Sequence, residues 1–378
     1  MTQAVHLGTG AVLQLRATLE RLNARSVFLV TGKASFELSG AAAQVHGQLS
    51  EIEVWQFNNF SRNPEAPEVE RGLAEFHRQT ADAVVAVGGG STLDVAKLIA
   101  LGAAQGQQAG AIWRQGQAPR LDAVPVVAIP TTAGSGSEAT HFATVYAGGK
   151  KRSVAHPSML PVAALVDPAL TASASPKLTA VTGLDAFSQA VESFWSVHST
   201  AESRGYSRQA ITLVQRHLLS CVRRPAPEHR AAMCQAAHLA GKAINITKTT
   251  APHALSYALT SRWNVPHGHA AALTLGAMLV FNSKVTKADV ADPRGDEHVR
   301  ATMAELFELL GCDSAEACRE KIATLMRDVG LATRLGEVGV RTPGQRGFLV
   351  EQVNLERLHN NPRALDRRQL REVLESVA

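Results

Sequence analysis

Five near-continuous apolar runs crowd into the first 170 residues, and each is broken by turn-forming residues. They are SVFLVTG at 26–32, IEVWQF at 52–57, DAVVAVGGGS at 82–91, AVPVVAIPTT at 123–132 and PVAALVDP at 161–168. Runs this apolar predict strands buried on both faces, as in a parallel sheet. Helical patterns separate them, at 11–22, 67–79 and 91–104. The alternation predicts a doubly wound α/β domain. Beyond about residue 170 strand-like runs become rare. The stretches 176–196, 206–222, 229–244, 301–311, 316–330 and 367–377 read as helices. An α/β domain over residues 1–170 followed by an all-helical domain over 171–378 is the expected organisation, with the cleft between them as the natural site. A chain of 378 residues supports two cores.

Two of the apolar runs end in turns suited to an anion. VAVGGGSTLDVAK passes from strand to helix through Gly88, Gly89 and Gly90, then Ser91. IPTTAGSGSEAT brings Thr131, Thr132 and Ser135 to the end of the next strand. Backbone amides at a helix N terminus attract phosphate, and glycines let the ligand come close. The alternative for either turn alone is a tight connection, with Ser91 as a helix cap. GTGAV at 8–12 carries only the first two glycines of the usual dinucleotide fingerprint.

In the helical half, Asp185 lies in GLDAFSQ, His253 in TTAPHALSYAL and His267 in WNVPHGHAAAL. Two imidazoles and a carboxylate, with a coordination position left open, suit catalytic zinc or ferrous iron. His253 and Tyr257 share a helix face at i, i+4. Asp185 also fits a helix cap, and His269 competes with His267 as a ligand.

Composition excludes other classes. The net charge of +5 comes from Lys and Arg spread along the chain, not from a basic stripe, so no nucleic-acid partner is expected. No uninterrupted apolar stretch is long enough to span a membrane. Cys221, Cys234, Cys312 and Cys318 form no CxxC pair and read as reduced thiols of a cytoplasmic protein.

The motifs VGGGSTLDVAK, IPTTAGSGSEAT, LVDP, GLDAFSQAVE, HALSYAL, PHGHAAAL and NNPRALD occur in an order and spacing that resemble the iron-containing (group III) alcohol dehydrogenases along nearly the whole chain. The resemblance implies the dehydroquinate synthase-like architecture: an N-terminal dinucleotide-binding domain and a helical metal- and substrate-binding domain. It also implies an NAD(P)-linked alcohol dehydrogenase or aldehyde reductase, and an oligomer of identical chains. It places Asp185, His253 and His267 on metal-ligand positions, for Fe²⁺ or Zn²⁺. It places Gly88, Gly89, Gly90, Ser91, Asp94, Thr131, Thr132, Ser135 and Lys151 on cofactor positions. Gln189 stands where many members have a ligand His, so a three-ligand site is expected, with Gln189 a weak or water-mediated contact. Tyr257 stands where many have a second His near the substrate. Tyr257 and His269 are candidate proton relays beside His267.

The turn Gly32, Lys33, Ser35 lacks the acid that bonds the ribose hydroxyls of NAD and adds a cation, which favours NADP(H). The stretch 241–269 is similar to the branch that reduces phosphonoacetaldehyde to 2-hydroxyethylphosphonate. Lys248, Arg152 and Arg262, with Asn245, are the groups expected to bind a phosphonate. The polar patch around Lys248 is read as lying inside an otherwise apolar helix. Alternatives are a maleylacetate reductase-like or general aldehyde reductase, a dehydroquinate synthase-like lyase, and a nucleotide-binding regulator without catalysis.

Overall fold

The computed structural model describes residues 3–353 and 355–378, and the chain divides between Ala174 and Ser175 into two compact units. The first unit contains, in order, β1 (Ala4–Leu7), α1 (Leu15–Arg21), β2 (Ser26–Thr31), α2 (Ser35–Leu38), α3 (Ala41–Gln48), β3 (Glu53–Phe57), α4 (Ala66–Gln79), β4 (Ala83–Gly88), α5 (Gly90–Gln105), α6 (Ala109–Gln115), β5 (Val126–Pro130), β6 (Phe142–Ala147), β7 (Lys150–Ala155) and β8 (Ala163–Val166). Six strands pair in parallel in the order β1-β8-β5-β4-β2-β3. β2, β4 and β5 are buried at every position, which is why they read as unbroken apolar runs.

Each face of the sheet has its own core. Val27, Leu29, Val85 and Val87 pack with Leu15, Leu19, Phe36 and Val45 from α1, α2 and α3. Phe28, Val30, Val84 and Ala86 pack with Val69, Phe76, Leu98 and Trp113 from α4, α5 and α6. The helices that follow β2 and β4 therefore cover opposite faces. That is the topological switch at which such sheets bind ligands, beyond the strands' carboxyl ends. Register aligns the turns there: Thr31 pairs with Val87, and Gly88 with Pro130.

The hairpin β6–β7 stands outside this sheet and was not expected. Gly148 and Gly149, both at positive φ, make its two-residue turn.

The second unit is helical: α7 (Pro176–Trp195), α8 (Ala201–Arg223), α9 (Pro227–Thr247), α10 (Ala251–Trp263), α11 (His267–Ser283), α12 (Asp296–Leu310), α13 (Ala315–Asp328), α14 (Pro343–Gln352) and α15 (Arg367–Glu375). α7, α8 and α9 pack together, while α11 lies against α7, α10 and α13. Among the described residues no helix is long and apolar enough to cross a membrane.

Candidate metal centre and phosphate cradle

α7 is buried almost all round, and Asp185, Gln189 and Glu192 fall along it at i, i+4 and i+7. α10 and α11 bring the histidines to this line. Pro252 sits in the first turn of α10, one residue before His253, and Pro266 is the N-cap of α11, so His267 opens the helix. Gly268 makes the approach possible, because a Cβ there would overlap the Val181 carbonyl and fall 2.6 Å from the Asp185 Cβ. Asp185, His253 and His267 then offer ligand atoms that all lie within 4.8 Å of one another.

Hydrogen bonds set which nitrogen each imidazole presents. Nδ1 of His253 donates to Glu192, whose side chain is fully buried. The other oxygen of Glu192 accepts from the Thr250 amide at 2.9 Å, the Thr250 hydroxyl at 3.0 Å and the His253 amide at 3.2 Å. With Nδ1 carrying the proton, the Nε2 lone pair of His253 faces Asp185 Oδ1 across 3.3 Å. Either a proton on Nε2 or a metal ion must lie between two such buried acceptors. The imidazole answers the same demand: burial works against its charge, but Glu192 and Asp185 outweigh burial and raise its pKa to about 10. Ser256 donates to the His253 carbonyl at 2.7 Å, so its oxygen is left to accept from His267 Nδ1 at 3.2 Å. Without the Nε2 proton the lone pair of His253 faces Asp185, and the donor set of Asp185, His253 and His267 suits a zinc or ferrous ion. Glu192 escaped the sequence reading. Its signal was a lone carboxylate in the apolar stretch AVESFW, two helical turns beyond Asp185.

The Tyr257 ring stacks on His267, with centroids 6.0 Å apart and planes at 20°. Gln189 is buried on α7 between the two carboxylates. His269 is not brought to the cluster: its Nε2 donates to the Ala332 carbonyl at 2.8 Å, and burial lowers its pKa. Lys248 corrects an expectation, since α9 ends at Thr247 and Lys248 is its C-cap, exposed at the junction with α10. Its backbone is strained, at φ 58° and ψ −178°, a region that glycine occupies far more readily. The Thr247 hydroxyl bonds the Lys248 carbonyl at 2.9 Å and Asn360 bonds the Thr249 carbonyl at 3.0 Å, which together hold this turn. Asn245 is half-buried in the last turn of α9, and Arg262 is exposed in the last turn of α10.

In the first unit, the turns after β2, β4 and β5 meet at the switch point. Gly32 donates to the Val87 carbonyl at 3.2 Å and Thr131 to the Gly88 carbonyl at 3.0 Å. Gly89 is the N-cap of α5, and no side chain caps this terminus. A Cβ on Gly90 would fall 2.7 Å from the Ser135 hydroxyl, so the two turns touch. The Thr131 hydroxyl is buried with no partner among the described residues. An uncapped helix start beside such a hydroxyl fits the phosphates of a dinucleotide. Ser91 is a helical residue, not the cap, and its hydroxyl donates to the Arg62 carbonyl. Thr132 lies beside Gly89. Lys33 and Ser35 are exposed, and Lys151 lies on β7 opposite Tyr146. Arg152 is exposed on the same strand.

The profile of the iron-containing alcohol dehydrogenases matches residues 2–168, and that of the C-terminal region of Fe-containing alcohol dehydrogenases matches residues 179–378. The chain belongs to the iron-containing alcohol dehydrogenase family. As a member of that family it is an NAD(P)-dependent oxidoreductase acting on alcohols and aldehydes, and the family binds NAD(H) and a divalent metal. It is 38% identical over 324 residues to a phosphonoacetaldehyde reductase of Streptomyces viridochromogenes, covering 82% of this chain and 80% of that one. It is 30% identical to long-chain-alcohol dehydrogenase 1 of Geobacillus thermodenitrificans, over 93% and 89% of the two chains. Among solved structures it resembles sulfoacetaldehyde reductase from Bifidobacterium kashiwanohense in complex with NAD⁺. That match has a TM-score of 0.89 and 31% identity, over 100% of this chain and 97% of that one. Both the expected family and the expected fold class are thereby established.

Proposed function

We propose that this family member reduces a small aldehyde with an anionic head group to the primary alcohol, with phosphonoacetaldehyde as the leading substrate. The reading is carried by the Asp185–His253–His267 set, whose ligand atoms lie within 4.8 Å of one another and whose imidazoles are held through Nδ1 by Glu192 and Ser256. Two relatives support the head group. Phosphonoacetaldehyde and sulfoacetaldehyde are both two-carbon aldehydes ending in a tetrahedral oxyanion.

Each residue then has a task. Asp185, His253 and His267 hold a divalent ion, zinc or ferrous iron, with Gln189 at most a weak neighbour. That ion supplies Lewis acidity toward the aldehyde oxygen. The dinucleotide supplies the hydride, with its phosphates cradled by the turns at 88–91 and 131–135. The exposed Lys33, with no acid beside it in the turn, favours the extra phosphate of NADP(H). Lys248 is the cation we assign to the head group, with Asn245 beside it and Arg262 and Arg152 as lesser candidates. Tyr257, stacked on His267, is the side chain we assign to proton delivery. His269 is committed to Ala332 and is left out of that task.

The test is a spectrophotometric assay of protein loaded in turn with Zn²⁺, Fe²⁺ or no metal. NADPH is compared with NADH, and phosphonoacetaldehyde with propanal. Metal-dependent NADPH oxidation favouring phosphonoacetaldehyde is expected. Equal rates with the two aldehydes would remove the anionic head group from the reading. Unchanged turnover in His267→Ala would remove the metal centre.

A further inference from the structure

Outside the metal centre and the phosphate turns, Lys97 and Asp94 on α5 have their partners within the chain. Lys97 is inaccessible to solvent and donates to the carbonyls of Ser137 at 2.7 Å, Thr140 at 3.1 Å and Phe142 at 2.8 Å. Asp94, expected at the cofactor, accepts from the Ser137 hydroxyl at 2.6 Å and from the Thr144 amide at 2.9 Å. A cluster in the second unit is less complete. His217 on α8 and His229 in the first turn of α9 are both half-buried, with their Nδ1 atoms 3.0 Å apart and their rings inclined at 49°. Glu228, beside His229, is exposed and forms no hydrogen bond or ion pair among the described residues. Its charge nonetheless acts on the His217 ring.

We propose that His217, His229 and Glu228 form a second metal site, for a divalent ion such as zinc, nickel or copper(II), which clamps α8 to α9. Its ligands are wholly different from the Asp185 set. The spacing suits an ion, because two nitrogens on one tetrahedral zinc stand about 3.3 Å apart. The 3.0 Å pair is already close to that separation. In the hydrogen bond each nitrogen aims at the other. To share an ion, both rings must turn until their lone pairs converge beside the line that joins them. That rotation is about the Cβ–Cγ bond, whose torsion is broad in histidine, and half-burial leaves the rings partly in solvent. The ion replaces the shared proton. A neutral donor ring moves its proton from Nδ1 to Nε2, and a pair that carries an extra proton releases it to water. Neutral imidazole is the binding form, and burial, His229 and Arg216 all lower the pKa of His217. Arg216 opposes a cation by its own charge, and the unpaired Glu228 offsets it. Cys221, one turn beyond His217, stays out: it is buried, and burial raises its thiol pKa. Two imidazoles and a carboxylate leave a fourth position to water, a set that zinc accepts.

The experiment titrates the full-length, metal-free protein with Zn²⁺ by calorimetry and compares the wild type with His217→Gln, His229→Gln and Glu228→Gln. Two equivalents are expected in the wild type, the weaker at the histidine pair, and one in each of the two His→Gln variants. Once the tighter site is filled, further zinc should raise the Tm of the wild type and leave that of His229→Gln where it is. Aldehyde reduction by His229→Gln with its tighter equivalent bound should match the wild type. Glu228→Gln should weaken the second equivalent by about tenfold or more, the least that loss of even an outer partner of a metal site commonly costs. Equal stoichiometry in the wild type and both His→Gln variants would overturn the proposal. So would loss of both equivalents in a folded His229→Gln, which marks a general change of structure. If neither His→Gln variant folds, Glu228→Gln carries the test, because its side chain is exposed. A second Kd within twofold of wild type there would overturn the site.

Discussion

At Glu192, one side chain decides what a neighbouring histidine can do. Its carboxylate accepts the hydrogen bond of His253 Nδ1–H and is itself held by Thr250, whose hydroxyl also accepts from the Trp195 indole at 2.9 Å. Glu192→Gln keeps the volume and removes the charge. Loss of such a partner commonly weakens metal binding by about 10–100-fold. Competition with a coloured chelator should show that drop while circular dichroism stays unchanged, and undiminished zinc affinity would refute the role. Lys248 offers a second prediction. Its backbone strain is worth about 1–3 kcal/mol, partly offset by the greater freedom of glycine in the unfolded chain. Lys248→Gly should therefore raise Tm by about 2–4 °C. It should also raise the KM for phosphonoacetaldehyde relative to that for propanal. A higher Tm with an unchanged KM ratio would make Lys248 a strained turn residue and nothing more.

At the scale of elements, α8 and α9 are joined by a pair of histidines, with His217 Nδ1 and His229 Nδ1 3.0 Å apart. One nitrogen must donate and the other accept, so the contact needs at least one neutral ring. Burial lowers the pKa of His217, and His229 and Arg216 add to the effect. The unfolded chain then binds more protons than the folded one between the lowered value and about 6.5. Stability should fall as pH drops below about 6.5 and level off once the folded ring is also charged. In His229→Gln, which removes the second charge, the fall in Tm between pH 7.5 and 5.5 should be smaller, and an unchanged fall would refute the pair's contribution. The elements themselves were unevenly legible. β2, β4 and β5 were plain because strands covered on both faces leave no polar positions. β6 and β7 were missed because their faces are only partly covered, though the Gly148–Gly149 pair was there to be read. The candidate metal ligands were legible as residue types in helical segments. Glu192 and Lys97 were not, because a charge in an apolar helix declares itself only when its partners, distant in sequence, are known.

For the whole molecule, the chain encodes two kinds of order. In the first unit strand register does the placing: Gly88 opposite Pro130 sets the two turns side by side before any side chain is considered. In the second unit side-chain bonds do it. Thr250, Glu192, His253 and Ser256 form a connected path from the α9–α10 junction to His267. Periodicity reports the first kind of order well and the second kind poorly. Lys248 illustrates the difference, since no pattern of apolar residues showed that α9 stops one residue before it. The motif NNPRALD also gains a physical meaning. Asn360 holds the α9–α10 turn, Asn361 pairs with Asn282 at 2.8 Å, and Arg363 binds Asp289 at 2.8 Å. Asn360 thus buttresses the junction from the far end of the sequence, while Asn361 and Arg363 tie the same segment to the end of α11 and the chain just beyond it.

The contact at Gly268 has a consequence for how such a chain can diverge. With the start of α11 pressed onto the backbone of α7, the wall behind Asp185 has no room for a side chain. Even alanine there would push His267 away from its partners, so the ligand geometry is closed to gradual change from that side. The α9–α10 turn is different, because Lys248 is exposed there and a replacement side chain meets no packed neighbour. Descendants of this sequence can vary the turn while inheriting the Asp185–His253–His267 arrangement intact.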